Sequence, residues 1–215
     1  MEILGKLFGS TARVKMMRLF LLNPGLVFDA SDIVTKSKVT ASVARKELSV
    51  FQSMGLVKKK MFTKEIPVKP RKNAKKTKGP KKPPVIKKKR VQGWQLDTSF
   101  PLLLPLQNIL IDTKLVKTEE MRGKFRGAGK LKLIIVSGIF IQNPDSTLDI
   151  LIVGDSLKKR ALESVLRSIE AEIGKELTYA LLETKEFMYR LGMYDKFVRD
   201  VLDYPHEIIV DKIGV

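Results

Sequence analysis

The chain has 215 residues, 44% of them apolar, and a formal charge of +18, enough length and hydrophobic content for two modest folded units. It has no cysteine and one histidine, His206, which excludes disulfides, thiolate metal sites, cysteine nucleophiles, histidine zinc sites and Ser–His–Asp triads. No apolar run has the length of a membrane span, and the opening MEILGKLFGS lacks the basic-then-apolar layout of a signal peptide, so a cytoplasmic protein without membrane contact is expected.

Charge divides the chain in three. Residues 58–90 carry sixteen Lys/Arg against a single acid, Glu65, while residues 1–57 sum to +4 and residues 91–215 to −1. Charge of one sign at that density self-repels and implies an anionic partner, with nucleic acid first among the candidates.

In chain order, Ser10 or Thr11 caps a helix running to about residue 22, with Val14, Met17, Phe20 and Leu21 as its apolar face. Asn23-Pro24-Gly25 breaks it. A short helix at 30–37 follows, capped by Asp29 or Ser31, with Ile33 and Val34 inward, and Lys38-Val39 make a tight turn. The next helix, 40–53, has Thr40 as its cap, Val43, Ala44, Leu48 and Phe51 on one stripe, and an exit at Met54-Gly55. Its outward residues are Ser42, Arg45, Lys46, Ser49 and Gln52, all able to reach phosphates or base edges. Two strands then close a hairpin, one from Leu56-Val57 and one through Val85-Ile86 and the VQGWQL run at 91–96, with the Lys/Pro-rich stretch as its tip.

The runs LFGSTARVKMMRLFLLNP and VTASVARKELSVFQSMGLVKKK resemble the first helix, the recognition helix and the wing strand of prokaryotic winged helix–turn–helix regulators. The resemblance covers residues 7–60 and implies a DNA-binding module over 1–97, with the third helix in the major groove. The loop between the wing strands is here an insertion over 66–84, with five of the chain's ten prolines between 65 and 84 and no aromatic residue, and is expected to be a disordered basic arm. Lysine neutralises phosphate as a point charge, whereas arginine is the usual bidentate reader of guanine, so this arm should add affinity rather than specificity. With about six to ten phosphates contacted, affinity should fall by roughly three to five decades between about 50 and 200 mM salt. The expected DNA contacts are Thr40, Ser42, Arg45, Lys46, Ser49 and Gln52 on the helix. In the block they are Lys58, Lys59, Lys60, Lys69, Arg71, Lys72, Lys75, Lys76, Lys78, Lys81, Lys82, Lys87, Lys88, Lys89 and Arg90.

Beyond Asp97 the pattern gives helices at 100–111 and 116–126, then strands at 131–136 and 148–153. A long amphipathic helix capped by Ser156, a strand at 177–182, helices from Thr184 and Tyr194, and a final strand at 206–210 complete it. The alternation is that of an α/β unit, making the whole chain α/β, or α+β overall. LIIVSGIFIQNPDSTLDILIVGD resembles the core of minimal nucleotidyltransferases of the DNA polymerase beta superfamily, and the resemblance places that fold over 98–215. In that family a strand leads into Gly-Ser, and two carboxylates opening the next strand hold divalent metal. Gly138 matches the glycine and Asp149 the second carboxylate, but Ile139 stands at the serine position and Thr147 at the first carboxylate, and the next strand offers Thr178 where a third acid is usual. One carboxylate is a poor site for a hard cation, so these are read as vestigial positions. No catalytic residue, metal or cofactor is expected, and Asp149 and His206 are read as polar residues at strand starts.

The order of the two units also resembles prokaryotic transcriptional regulators that carry a nucleotidyltransferase domain. It implies a regulator or nucleoid-associated protein that binds double-stranded DNA as a homodimer. Its second unit would serve oligomerisation or ligand sensing, with the leucine-rich helix at 102–111 as one candidate interface. Two other readings remain at this point, an active metal-dependent nucleotidyltransferase and a protein that binds structured RNA or the ribosome.

Overall fold

The computed structural model describes residues 2–67, 86–111, 118–143 and 145–215. The expected arm at 66–84, all but its first two residues, lies outside the described residues, and so do Lys69, Arg71, Lys72, Lys75, Lys76, Lys78, Lys81 and Lys82.

The chain is a mixture of helices and two open sheets. A short helix that the sequence reading did not anticipate, α1 (Glu2–Leu7), precedes α2 (Thr11–Leu21). Ser10 caps α2 by accepting the Arg13 N–H at 3.2 Å. One apolar stripe was expected here, yet Met16, Arg18 and Leu19 are buried as well, because α3, α4, α5 and α7 all pack around this helix. The helix α3 (Ala30–Ser37) starts in a reciprocal capping box between Asp29 and Asp32 and ends at Lys38, in left-handed conformation at φ +49°. Thr40 caps α4 (Ala41–Ser53), whose Ala44, Leu48 and Phe51 join the core. Phe20 sits at the centre of this core, edge-on to Phe28 and Phe51 with ring centroids 5.9 and 6.5 Å away.

Two eleven-residue strands, β1 (Val57–Pro67) and β2 (Ile86–Leu96), form an antiparallel hairpin in unbroken register from Val57–Leu96 to Pro67–Ile86. Lys58, Lys59, Lys60 and Lys87 to Arg90 pair within this ladder, outside the arm expected at 66–84. An isolated bridge between Phe28 and Trp94 ties the hairpin base to the segment before α3. At Gly93 any Cβ would lie 2.8 Å from the Phe28 carbonyl and from the Phe62 and Val27 side chains, so only glycine permits this approach.

Helix α5 (Leu103–Leu110) puts Leu103, Leu106 and Leu110 against the same core. Helix α5, which follows the expected 97/98 boundary, thus shares the core of the preceding helices. The remaining elements are α6 (Thr118–Lys124), β3 (Lys130–Val136), β4 (Ile150–Asp155), α7 (Lys159–Ile173), β5 (Tyr179–Glu183), α8 (Thr184–Gly192), α9 (Lys196–Asp203) and β6 (Glu207–Asp211). Their sheet has the order β5-β4-β3-β6, with β4 and β5 parallel across the α7 crossover and the other neighbours antiparallel. Ile134, Val136, Ile150 and Ile152 face one apolar cluster with α7, while Leu133, Ile135, Leu151 and Val153 face another with Phe187 and Val198. Burial on both faces explains why these strands read as continuous apolar runs rather than alternations. Ser156 does not cap α7 as expected: it takes φ +51° before the helix, and Lys158 occupies the cap position without a side-chain bond.

The two halves are joined by polar contacts around a buried cation. Arg18, 1% exposed, donates from Nε to the Leu110 carbonyl at 2.8 Å and from Nη1 to the Glu172 carbonyl at 3.0 Å. Desolvation pulls its guanidinium down to about 10, against the opposing field of Glu172. Asn23 Nδ2 donates to the carbonyls of Leu19 at 2.7 Å and Gly174 at 2.8 Å, and Lys36 forms an ion pair with Glu176. Gly174 ends α7 at φ +90°, where a Cβ would come within 2.6 Å of the Arg18 backbone. Among the described residues, no helix is long and apolar enough to cross a membrane.

Candidate functional site

Helix α4 separates its faces sharply. Ala44, Leu48 and Phe51 are buried, while Thr40, Ser42, Arg45, Lys46, Ser49 and Gln52 are all exposed. Nothing in the fold consumes Arg45 or Lys46, which make no ion pair among the described residues. The one acid of this helix, Glu47, is turned inward and takes Arg13 Nε at 2.7 Å. Removing that carboxylate from the surface leaves the outward face of α4 without an acid.

The hairpin cations fall into two groups. Lys58 pairs with Asp97 at 3.5 Å, Lys60 donates to Gln95 at 3.1 Å, and Lys88 lies 3.7 Å from Glu65. Lys59, Lys87, Lys89 and Arg90 are exposed and make no ion pair among the described residues. Lys64 belongs to neither group. Its Nζ sits 2.7 Å from Asp29 and 2.6 Å from Asp32, clamping the middle of the hairpin to the cap of α3. Burial alone would raise the Asp29 carboxyl, but Lys64, the Asp32 N–H and Ser31 outweigh it and hold the group down at about 2. Burial likewise works against the Lys64 charge, and the two carboxylates reverse it, raising that group. This anchor was invisible in the sequence, where Lys64 is one lysine of many; the only hint was the Asp-x-x-Asp spacing of the capping box.

The third candidate location is the turn between β3 and β4. Gly138 takes φ +55° and packs so closely on Asp149 that a Cβ would run into the carboxylate. Asp149 Oδ1 accepts the Ile139 N–H at 3.0 Å, and Oδ2 accepts the Thr178 N–H at 2.8 Å. Both oxygens are thus spent on backbone, stitching the β3 turn to the start of β5. Ile139 packs its side chain on the apolar cluster, and Thr147 is exposed in the loop. Among the described residues, no group of three His, Cys, Asp or Glu side chains could hold a metal ion. Beside this turn, a depression of about 200 Å³ is lined by Asp145, Thr147, Lys196, Asp200 and Tyr204. His206 stands apart, its Nδ1 2.8 Å from the Tyr204 carbonyl.

A larger cleft of about 700 Å³ lies between the halves, with Leu19, Leu26 and Phe28 on one side and Gly174 and Leu177 on the other. Lys36, Lys38, Arg167, Lys175, Glu170 and Glu176 supply its polar groups. Lys36 is held by Glu176, and Glu170 is held by the Leu177 N–H at 3.0 Å.

Comparison with protein-family models, curated proteins and solved structures found no match for this chain. Its site must therefore be argued from its own residues. Three groups emerge: an exposed cationic helix face, a basic ribbon partly tethered to the fold, and a strand turn in which Asp149 is held by two backbone N–H groups while Asp145 is exposed.

Proposed function

We propose that this chain is a DNA-binding transcriptional regulator or nucleoid-associated protein, built as a winged helix–turn–helix with an enlarged basic wing and a non-catalytic nucleotidyltransferase-like second unit. The observation that carries the reading is α4, whose Ser42, Arg45, Lys46, Ser49 and Gln52 are all exposed while its one acid is internally paired. A helix presenting Arg, Lys, Ser and Gln together can bond both phosphates and base edges in the major groove. The hairpin supports the same reading, with Lys59, Lys87, Lys89 and Arg90 making no ion pair among the described residues beside the tethered Lys64. The sequence of 68–85 adds eight further Lys/Arg to that hairpin.

The second unit is read as non-catalytic because Asp149 is committed to two backbone N–H groups and Thr147 offers no carboxylate beside it. Its tasks would be pairing two copies of the chain and sensing a ligand in the cleft against α2 and α3. A ligand there would touch both halves and so bias how the helical module is held.

The test is duplex binding by the full chain and by Arg45→Ala/Lys46→Ala, measured across a salt series. The double variant should lose about 2 to 4 kcal/mol of affinity for the best-bound sequence and much of the discrimination between sequences. Equal binding by the variant would sink the assignment of α4. Structured RNA outcompeting duplex DNA at fixed salt would replace DNA by RNA as the partner.

A further inference from the structure

The near-neutral charge of residues 91–215, seventeen basic against eighteen acidic, conceals a segregation that only the fold displays. An open depression of about 530 Å³ is ringed by Arg122, Arg126, Lys130, Lys132 and Lys212, over an apolar floor of Phe125, Leu131 and Val210, and no acid lines it. None of the five cationic side chains makes an ion pair or hydrogen bond among the described residues. Elsewhere in the same half Lys124 pairs with Glu172, Arg167 with Glu163, Arg190 with Glu186 and Arg199 with Asp203, while Lys158, Lys159, Arg160, Lys175, Lys185 and Lys196 make no ion pair among the described residues.

The fold brings these cations together from three elements. Arg122 comes from α6, Arg126 from the turn after it, Lys130 and Lys132 from β3, and Lys212 follows β6. The Lys212 N–H donates to the Lys132 carbonyl at 2.8 Å, one step beyond the Leu133–Asp211 pair, so two lysines stand side by side across the ladder. Like charges placed opposite one another in a sheet are destabilising, and neither lysine makes an ion pair among the described residues. The start of α7 adds more positive charge. The Lys158 N–H donates to the Ala128 carbonyl at 2.9 Å, with Lys159 and Arg160 next in the chain and all three exposed. Acids also lie close by: Glu119 and Glu120 precede Arg122 in α6, Asp155 pairs in register with Lys130, and the Asp211 carboxylate accepts the Ile213 and Gly214 N–H groups at 2.8 Å.

We propose that this cluster, formed by Arg122, Arg126, Lys130, Lys132 and Lys212, is a second nucleic-acid contact that binds backbone phosphates independently of α4 and the hairpin. The proposal rests on the reading of the chain as a nucleic-acid binder. The ligand chemistry follows from the lining: arginine and lysine for phosphate oxygens, and no exposed aromatic ring on which a base would stack, since Phe125 is fully buried. The depression is open, whereas a small-molecule site encloses most of its ligand. Sequence-independent phosphate contact at a second place would lengthen the bound segment or bridge two segments.

The experiment uses the full chain, a labelled duplex of about 20 base pairs, and three variants: Lys130→Gln/Lys132→Gln/Lys212→Gln, its charge-keeping counterpart with arginine at the same positions, and Arg45→Ala/Lys46→Ala. The glutamine variant should lower the slope of log affinity against log salt by about two to three, and the arginine variant should restore it. The backbone amide signals of Gly127, Gly129 and Lys130 should move on adding duplex to the wild type and to the α4 variant, but not to the glutamine variant. An unchanged slope with unmoved amides, while the α4 variant loses binding, overturns the second contact and leaves the main reading standing. A lowered slope with intact binding by the α4 variant supports the cluster and removes α4 instead. Amides that move with free nucleoside diphosphate but not with duplex overturn the proposal in favour of a small phosphorylated ligand.

Discussion

Asp149 shows how a single carboxylate can join two distant stretches of backbone. Its two oxygens each hold a backbone N–H, Ile139 and Thr178, and the glycine at 138 exists to let the carboxylate come that close. Charged-acceptor hydrogen bonds of this kind are worth about 1.5 to 3 kcal/mol each, less when lost together. Asp149→Ala is therefore expected to lower unfolding free energy by about 2 to 4 kcal/mol in urea denaturation. It should leave magnesium-dependent nucleotidyl transfer at the background level of the wild type; clear transfer by the wild type that vanishes in the variant would reinstate catalysis. Gly174 is the other position where a single atom decides. Gly174→Ala places a methyl into the Arg18 backbone at φ +90° and should cost about 2 to 4 kcal/mol by the same measurement.

At the level of elements, the hairpin is held as well as charged. Lys64 joins β1 to the Asp29–Asp32 cap of α3, so the ribbon is fixed in position at its middle. Asp29 is held down at about 2 from an ordinary 3.8, so its contribution is fully present above about pH 4 and is lost as pH falls towards 2. The raised Lys64 group acts in the opposite limb, its contribution present below its ordinary 10.5 and lost at more alkaline pH. Thermal melting followed from pH 5 to 2 should show an acid loss that Asp29→Asn reduces; an unaltered acid limb in that variant would refute the clamp. Lys64→Met should weaken nucleic-acid binding through loss of the ribbon's placement, even though Lys64 itself is spent within the protein.

For the whole molecule, Arg18 is the joint. It carries a full charge into the contact between α2, α5 and α7 and bonds the last carbonyls of two helices there. Arg18→Leu leaves those carbonyls unpaired and is expected to cost about 2 to 4 kcal/mol, with Arg18→Lys recovering only part of it because the planar fork is lost. If the halves melt separately in the leucine variant, calorimetry should resolve two transitions where the wild type gives one. The same joint borders the cleft of about 700 Å³, which makes it the place where occupancy of the cleft would be felt by α2 and α3.

What was legible in the sequence follows from local physics. Caps at Ser10, Asp29 and Thr40, the break at Asn23-Pro24-Gly25, the exit at Gly55 and the strand–helix alternation after residue 130 all act within a few residues, so periodicity and turn chemistry revealed them. The exposed face of α4 was legible for the same reason. Long-range choices were not. The packing of the α5 leucines on the first core depends on residues far apart in the chain, and so does the burial of Arg18, which bonds carbonyls of α5 and α7. The tethering of Lys64 to Asp29 and Asp32 hid among the lysines, because an ion pair between distant positions leaves no local pattern. The sequence by itself determined the helices, the turns and the presence of a concentrated positive charge. Only the tertiary structure decided which cations are spent, because pairing is a matter of distance in space: Lys64 and Arg18 are consumed, while Arg45, Lys46 and the cations around Phe125 make no ion pair among the described residues.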